Sequence, residues 1–337
     1  MVVTYCDDVG IAAPNETLID EFIDRLRSKG FALEKEGSFE EFLGIKFERN
    51  QAAGTIELTQ KGLIAKIIAE VGLQSCKPNL TPASQLALGR DEDGEPISES
   101  WSYRSVVGML LYLCTNTRPD ISFAVSQAAR FSSNPKQSHA TAIKTIIRYL
   151  AGTADKGMIL KPRTDLKLEL YCDADFAGLY KRESDHNPDA ARSRTGYIIK
   201  LSGCPLVWKS QLQTEIALST LEAEYAALSY ALRTLLPLKR MLKEVAHAVQ
   251  LPQDIVATIL AEVFEDNQGC VALATNHRLT NRTKYFLVKY HWFWYNYNVT
   301  KEFLISYIKS ALQDADYLMK QTPRDSFQDN RRRNQGW

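Results

Sequence analysis

The chain has 337 residues, of which 45% are apolar and 24% charged, and its formal net charge is +1. This composition is typical of a globular protein with two or three domains, and it excludes an overall basic field that would attract nucleic acid to the whole surface. The 6 cysteines show no CxxC pairing, which argues against a zinc site and a disulfide framework. Because the chain has neither a signal peptide nor an apolar run of about 20 residues, we expect an intracellular protein without membrane contact.

The first 73 residues alternate short strands with helices. A strand from Val2 runs into Asp7 and Asp8 and returns as a second strand, which predicts a β-hairpin with two acids at its tip. The predicted elements that follow are a helix over 15–29, strands over 31–35, 42–48 and 55–59, and a helix over 61–71.

Residues 74–156 form a linker and a helical segment. The linker, 74–98, is rich in Pro and Gly, and three helices are predicted after it, over 101–117, 119–132 and 136–151. The third helix carries His139, Lys144 and Arg148 about one turn apart, an arrangement that suits a phosphate-facing strip as well as an ordinary solvated face.

From residue 157 to residue 322 the pattern predicts one mixed α/β domain. Its strands are predicted over 158–161, 166–172, 196–201, 206–208, 259–264 and 303–308, and its helices over 220–249, 268–274 and 311–320. The aromatic segment 290–299 contains Trp292, Trp294, Tyr295 and Tyr297, which suit a core or an interface better than base stacking. We expect the basic tail 323–337 to be disordered.

Carboxylates stand at conspicuous positions in this domain. Asp173 and Asp175 follow an alternating strand, Asp173 on its more polar face, and Asp266 follows a nearly continuous apolar strand. A solvated turn acid is the plainer interpretation of each one alone.

Two further acids lie beside apolar helix stripes. Glu224 borders the stripe of the helix after Ser219, with Glu222 as a competing candidate, and Asp316 borders that of the predicted last helix. Burying a carboxylate is costly unless a cation offsets it. Asp173, Glu224, Asp266 and Asp316 together suggest a site for two Mg²⁺ ions, which prefer oxygen ligands.

An ordered series of motifs resembles the RNase H domain of copia-type retrotransposon polyproteins. The motifs are Tyr171-Cys-Asp-Ala-Asp-Phe-Ala-Gly178, Ser193-Arg-Thr-Gly-Tyr197, Ser219-Thr-Leu-Glu-Ala-Glu-Tyr-Ala-Ala-Leu228, Glu265-Asp-Asn-Gln-Gly269, Arg282-Thr-Lys284, Lys289-Tyr-His291 and Asp314-Ala-Asp316 with Lys320. The resemblance implies an RNase H-like mixed sheet with flanking helices. It also implies that Asp173, Glu224, Asp266 and Asp316 bind two Mg²⁺ ions, or Mn²⁺, and cleave the RNA strand of an RNA–DNA hybrid without a small-molecule cofactor.

The hairpin sequence Tyr5-Cys-Asp-Asp8 resembles the Tyr-x-Asp-Asp hairpin of reverse transcriptases. Later motifs, including 42–45, 103–108 and 117–121, follow in copia-type order. The resemblance implies that 1–73 is part of a polymerase palm and 74–156 a linker with thumb or connection. Asp7 and Asp8 would be two metal ligands of a polymerase site whose other Asp precedes the hairpin, and nothing precedes Met1, so we expect no polymerisation by this chain alone.

The leading hypothesis is therefore a ribonuclease H fragment of a copia-type reverse transcriptase. Lys144, Arg148, Arg282 and Lys284 are the candidate contacts to the RNA–DNA hybrid. One alternative is a decayed or co-opted fragment that binds nucleic acid or a partner without cleaving it. Another is a polymerase completed by a separate chain, since the upstream polyprotein domains are candidate partners. The expected location is cytoplasmic, in a virus-like particle, or nuclear.

Overall fold

The computed structural model describes residues 1–35, 37, 39–83, 88–180, 188–276 and 283–337. The strands within these ranges are β1 (Val2–Tyr5), β2 (Asp8–Ile11), β3 (Glu41–Phe42), β4 (Ile45–Asn50), β5 (Thr55–Thr59), β6 (Met158–Leu160), β7 (Leu168–Asp175), β8 (Arg194–Leu201), β9 (Cys204–Leu212), β10 (Ala261–Glu265) and β11 (Leu304–Tyr307). The α-helices are α1 (Glu16–Ser28), α2 (Lys61–Glu70), α3 (Tyr103–Asn116), α4 (Ser122–Ala129), α5 (Gln137–Ala151), α6 (Thr220–Ala248), α7 (Gln253–Ala257), α8 (Gln268–Thr275), α9 (Lys284–Tyr290), α10 (Trp294–Asn298) and α11 (Arg324–Gln335).

The predicted N-terminal hairpin is confirmed: β1 and β2 pair antiparallel as a two-stranded sheet. Tyr5 lies opposite Asp8, so Cys6 and Asp7 form a two-residue turn in which Cys6 has a positive φ of 49°. Positive φ at the first turn residue matches the twist of the flanking strands. The hairpin holds both carboxylates exposed at its tip.

The strand predicted over 31–35 is wrong, because this segment is irregular. Arg27, near the end of α1, donates from Nε and Nη2 to the Leu33 carbonyl at 3.1 and 2.8 Å. Lys35 forms an ion pair with Glu16 of the same helix at 2.8 Å. These side chains hold the segment against α1, so its carbonyl is not available for a strand partner.

A four-stranded antiparallel sheet has the order β3-β4-β5-β6. The sequence assigns β6 to the C-terminal domain, whereas its backbone pairs with β5, with Met158 opposite Leu58. Gly157 permits this approach, since a Cβ there would lie 1.8 Å from the Leu58 carbonyl oxygen. The strand therefore belongs to the N-terminal sheet.

The three helices predicted after the linker are confirmed as α3, α4 and α5, and they pack with α2 around one apolar core. The turn between α3 and α4 contains a fully buried ion pair, Arg118 to Asp120, at 2.8 Å. Tyr149 of α5 donates its hydroxyl to the same carboxylate at 2.6 Å. Removing one member of a buried pair leaves an uncompensated charge, so this network fixes how the helices meet.

The C-terminal half is organised around a five-stranded mixed sheet with the order β11-β10-β7-β8-β9. Strands β7, β10 and β11 are parallel, and β8 and β9 continue antiparallel. Helix α6 packs on β7 and β8 over a second apolar core. The predicted fold class is confirmed to the extent that this half is a mixed sheet with flanking helices.

The helix predicted over 311–320 is wrong, because the segment contains two single 3₁₀ turns, Ser310–Leu312 and Asp316–Leu318. Gln313 between them is extended, and its side-chain amide donates to the carbonyl of Cys172 on β7 at 2.9 Å. A continuous helix does not form here because Gln313 is extended and bonds to the sheet.

The prediction of a disordered tail over 323–337 is also wrong, because α11 occupies most of it. Phe327 is buried and packs edge-on against Tyr149 of α5, with 5.8 Å between ring centroids. Gln335 donates to the carboxylate of Asp120 at 3.1 Å. The tail has a basic composition, but one face of α11 carries polar and aromatic side chains that are buried against the rest of the protein.

Candidate metal centre

The centre begins in the middle of the sheet. Asp173 lies within β7 opposite Gly196 of β8, and only 4% of its surface is exposed. Its Oδ1 accepts a hydrogen bond from the backbone N–H of Ala174 at 2.8 Å. Strand β7 extends to Asp175, beyond the predicted end, so Asp173 is held by strand pairing rather than by a loose turn.

Helix α6 supplies the second acid. Ser219 begins the helix by accepting the backbone N–H of Glu222 at 3.2 Å, and Glu224 follows in the first turns, 5% exposed. The carboxylate of Glu222 accepts hydrogen bonds from the Leu218 N–H at 2.9 Å and the Tyr285 hydroxyl at 3.0 Å. Glu222 is therefore occupied at the helix start, and Glu224 is the acid that reaches the sheet.

Asp266 completes a compact group. It follows β10, which pairs parallel with β7, so both acids lie toward the carboxyl ends of neighbouring strands. Carboxylate oxygens of Asp173, Glu224 and Asp266 all lie within 4.8 Å of one another. The structure thus brings together three of the four acids singled out in the sequence.

Asp316 lies outside this group of three but beside it. It is half-buried, and its Oδ1 is 2.6 Å from Nζ of Lys320. Its 3₁₀ turn crosses β8 at Gly196, where a Cβ would be 3.1 Å from the Ala315 carbonyl. Glycine at this position lets the turn approach the strand residue that lies opposite Asp173.

The acids strongly disfavour one another's ionisation. Burial, with the charges of Asp266 and Asp316, raises the pKa of Asp173 well above its usual range. Burial, with the charges of Glu265 and Asp173, raises the pKa of Glu224 to about 11. Either protons or a cation must therefore neutralise this site.

The donor set fits a divalent cation. Among the described residues, Oε2 of Glu224 is buried and has no hydrogen-bond partner. Leaving such an oxygen unsatisfied costs free energy, and carboxylate oxygens are the ligands that Mg²⁺ and Mn²⁺ prefer. Asp173, Glu224 and Asp266 are the residues that could hold an ion directly.

Glu265 is a buried acid that the sequence reasoning missed. It is fully buried, and its carboxylate accepts hydrogen bonds from the Asn267 N–H at 3.2 Å and the Cys172 thiol at 3.5 Å. Burial and the charge of Asp173 raise the pKa of Glu265 well above its usual range. The alternation of β10, in which Ala261 and Val263 share its buried face, is the signal that could have found it.

Asp175 has a different environment from Asp173. It lies opposite Arg194 on β8 and is not among the three clustered acids. Its carboxylate lies against Gly178, where a Cβ would be 1.8 Å from Oδ2. The glycine of this motif therefore makes room for the Asp175 side chain.

The N-terminal acids form no comparable group. Within the described part of the chain, neither Asp7 nor Asp8 belongs to a set of three acids close enough to share an ion. Both are exposed.

The sequence leaves open a phosphate-facing strip or a solvated face on α5, and both are wrong at His139, which is fully buried. Its ring accepts the Lys136 N–H at 2.8 Å and stacks on Phe131 with 4.1 Å between centroids. Lys144 forms an ion pair with Glu99 at 2.7 Å. Of the other candidate contacts to nucleic acid, Arg148 and Lys284 are exposed. Arg282 lies outside the described residues.

The aromatic segment packs mainly on α6. Trp292 donates its indole N–H to Ser229 at 2.9 Å, and Phe293 is fully buried. His291 contacts the hydroxyl of Tyr225 through Nδ1. Tyr295 remains 60% exposed.

Comparison with known proteins gives matches to mobile-element polyproteins. A family model described as reverse transcriptase (RNA-dependent DNA polymerase) matches residues 1–85. The retrovirus-related Pol polyprotein from transposon TNT 1-94 of Nicotiana tabacum is 33% identical over 335 residues, covering 97% of this chain and 24% of that protein. The chain thus spans about a quarter of the length of this polyprotein.

A shorter relative and a solved structure also match. An uncharacterized mitochondrial protein of Arabidopsis thaliana is 30% identical over 226 residues, 67% of this chain and 88% of that protein. The crystal structure of LC11-RNase H1 in complex with RNA/DNA hybrid is 19% identical, with a TM-score of 0.30 over 45% of this chain and 92% of that one. No described helix has the length and apolar character needed to cross a membrane. The sequence matches, over nearly the whole chain, show that it belongs to the family of copia-type retrotransposon Pol polyproteins.

Proposed function

We propose that this chain is a divalent-metal-dependent ribonuclease that hydrolyses the RNA strand of RNA–DNA hybrids. The observation that carries the proposal is the cluster of Asp173, Glu224 and Asp266, whose carboxylate oxygens lie within 4.8 Å of one another. Family membership supports hybrids as the substrate class, since reverse transcription produces them.

Asp173, Glu224 and Asp266 would hold the ion or ions, with Asp316 beside them. Bound Mg²⁺ supplies Lewis-acid stabilisation of phosphate charge and a more acidic water. The chain's own part is to fix the ligands: strand pairing holds Asp173, and the start of α6 places Glu224 beside it. Glu265, which accepts the Asn267 N–H, fixes the turn that carries Asp266.

The polymerase motif supports a narrower proposal. Asp7 and Asp8 would be two ligands of a polymerase metal site, and this chain alone would not extend a primer, because these acids lack a third close acid among the described residues. The upstream polyprotein domains are the partners proposed to complete that site, and the proposed place of work is inside the cell.

The test is cleavage of a labelled RNA–DNA hybrid by the purified full chain. We expect cuts in the RNA strand with Mg²⁺ or Mn²⁺, none with EDTA, and none in single-stranded RNA or duplex DNA under the same conditions. Hybrid binding without cleavage in Mg²⁺ and Mn²⁺ would favour the alternative of a nucleic-acid-binding fragment and would contradict the proposal.

A further inference from the structure

We propose that Arg333 on α11 is a positioning residue for Asp316, acting through the carboxylate of Asp314. This inference rests on the proposed function, because it concerns the acid beside the metal centre. It assigns a role at the site to the C-terminal helix, which contributes no acid to the group of three.

Asp314 is held by two cations. It is 4% exposed, and Oδ2 forms an ion pair with Lys200 of β8. Oδ1 is 2.6 Å from Nε of Arg333. With both oxygens engaged, Asp314 is fixed in place and is not available as a metal ligand, which separates it from Asp316 two residues later.

The backbone around Asp314 is held from two sides. Asn334 of α11 donates its side-chain amide to the Asp314 carbonyl at 3.1 Å. On the other side, Gln313 donates to the Cys172 carbonyl of β7 at 2.9 Å. The segment that leads into the Asp316 turn is thus fixed between the sheet and α11.

A shift of this segment would move the Asp316 side chain. The N–H of Asp316 donates to the Gln313 carbonyl at 3.3 Å, so the turn is built directly on the anchored residue. The same turn lies against Gly196, opposite Asp173. Loss of the Arg333 contact therefore removes one of the two supports of the segment that carries Asp316.

Helix α11 is itself anchored beyond Arg333. Arg331 donates to the Tyr149 hydroxyl at 3.2 Å and lies over the Trp337 ring at 4.0 Å. The Trp337 indole donates to the Gly157 carbonyl at 2.7 Å. Because contacts with α5 and the N-terminal sheet hold α11 in place, the position of Arg333 relative to Asp314 is fixed.

The experiment compares Arg333→Gln with Arg332→Gln in the full chain. Arg332 is on the same helix, but its ion pair with Asp329 is exposed, so it is the matched control. Titration with MnCl₂ alone, followed by calorimetry, should show affinity lowered by about tenfold in Arg333→Gln, the lower end of the range for residues that contact a ligand directly, because Arg333 acts through Asp314. Arg332→Gln should bind Mn²⁺ as the wild type does, and Arg333→Lys, which keeps a cation near Asp314, should recover part of the affinity.

Amide hydrogen exchange in the metal-free proteins gives a second readout, with faster exchange over 313–319 expected in Arg333→Gln and not in Arg332→Gln. Wild-type Mn²⁺ affinity and unchanged exchange in Arg333→Gln would overturn the positioning role. If that variant does not fold, the same two results in Asp314→Asn, which removes the carboxylate that Arg333 contacts, would do so. A wild type that binds Mn²⁺ but does not cleave hybrids would instead contradict the proposed function and leave the positioning result standing.

Discussion

Replacing Glu224 with Gln is expected to lower the rate of hybrid cleavage by at least about 1000-fold, because loss of a ligand removes several kcal/mol of transition-state stabilisation and each 1.4 kcal/mol is worth about tenfold. The change keeps the size of the side chain, and Glu224 lies in the second turn of a long, well-packed helix. We expect Asp173→Asn and Asp266→Asn to have effects of the same size. The measurement is the single-turnover cleavage rate of a labelled hybrid in Mg²⁺.

Glu222→Gln is the matched control for Glu224→Gln. Both residues lie on α6, both are buried, and both changes replace a carboxylate with an amide. Glu222 serves the Leu218 N–H and the Tyr285 hydroxyl, and an amide oxygen can still accept from them. We expect near wild-type cleavage, and equal losses in the two variants would indicate a general effect on folding rather than a metal site.

Divalent cations are expected to raise the thermal stability of the chain, and Glu224→Gln is expected to raise it in EDTA. In the metal-free protein, buried Glu224 either keeps a proton or bears an unfavourable charge beside Asp173. An amide removes this problem, so the unfolding temperature in EDTA should increase by several degrees, at about 2–4 °C per kcal/mol for a domain of roughly 150–250 residues. The same variant should lose most of the stabilisation by Mg²⁺ or Mn²⁺.

The pH dependence follows from the direction of the pKa shift. The pKa of Glu224 is about 11 in the folded chain and near its ordinary value of 4.5 when unfolded, so between these values the folded state retains a proton that the unfolded state has lost. The free energy of unfolding in EDTA should therefore fall as pH rises from 5 to 9. Mg²⁺ should reduce this slope because it favours the ionised acids, and Glu224→Gln should reduce it too. An EDTA slope that is identical in wild type and variant would contradict the assigned environment.

The parts of the site that lie on regular elements could be predicted from the sequence. The alternation of β7 and the apolar run before Asp266 point to strand ends, and the stripe on α6 points to Glu224. Periodicity alone does not decide between Glu222 and Glu224, because hydrogen bonds to Leu218 and Tyr285 determine which acid is occupied. That distinction requires tertiary structure.

Other features depend on contacts between distant segments. The Asp316 segment has a helical apolar pattern, but Gln313 is drawn to β7, more than a hundred residues away in sequence. The basic residues of α11 suggest a solvated tail, whereas Phe327 packs on Tyr149 of α5 and Gln335 donates to the carboxylate of Asp120. These contacts join residues that are far apart in sequence, so patterns within a short stretch of sequence cannot predict them.

The central claim is that Asp173, Glu224 and Asp266 bind a divalent ion. The most direct measurement is anomalous diffraction from crystals of the full chain soaked in MnCl₂. The account predicts at least one manganese peak within about 2.5 Å of carboxylate oxygens from these three residues, with no such peak in Glu224→Gln crystals treated in the same way. Manganese bound elsewhere on the chain, with none at these three acids, would contradict it.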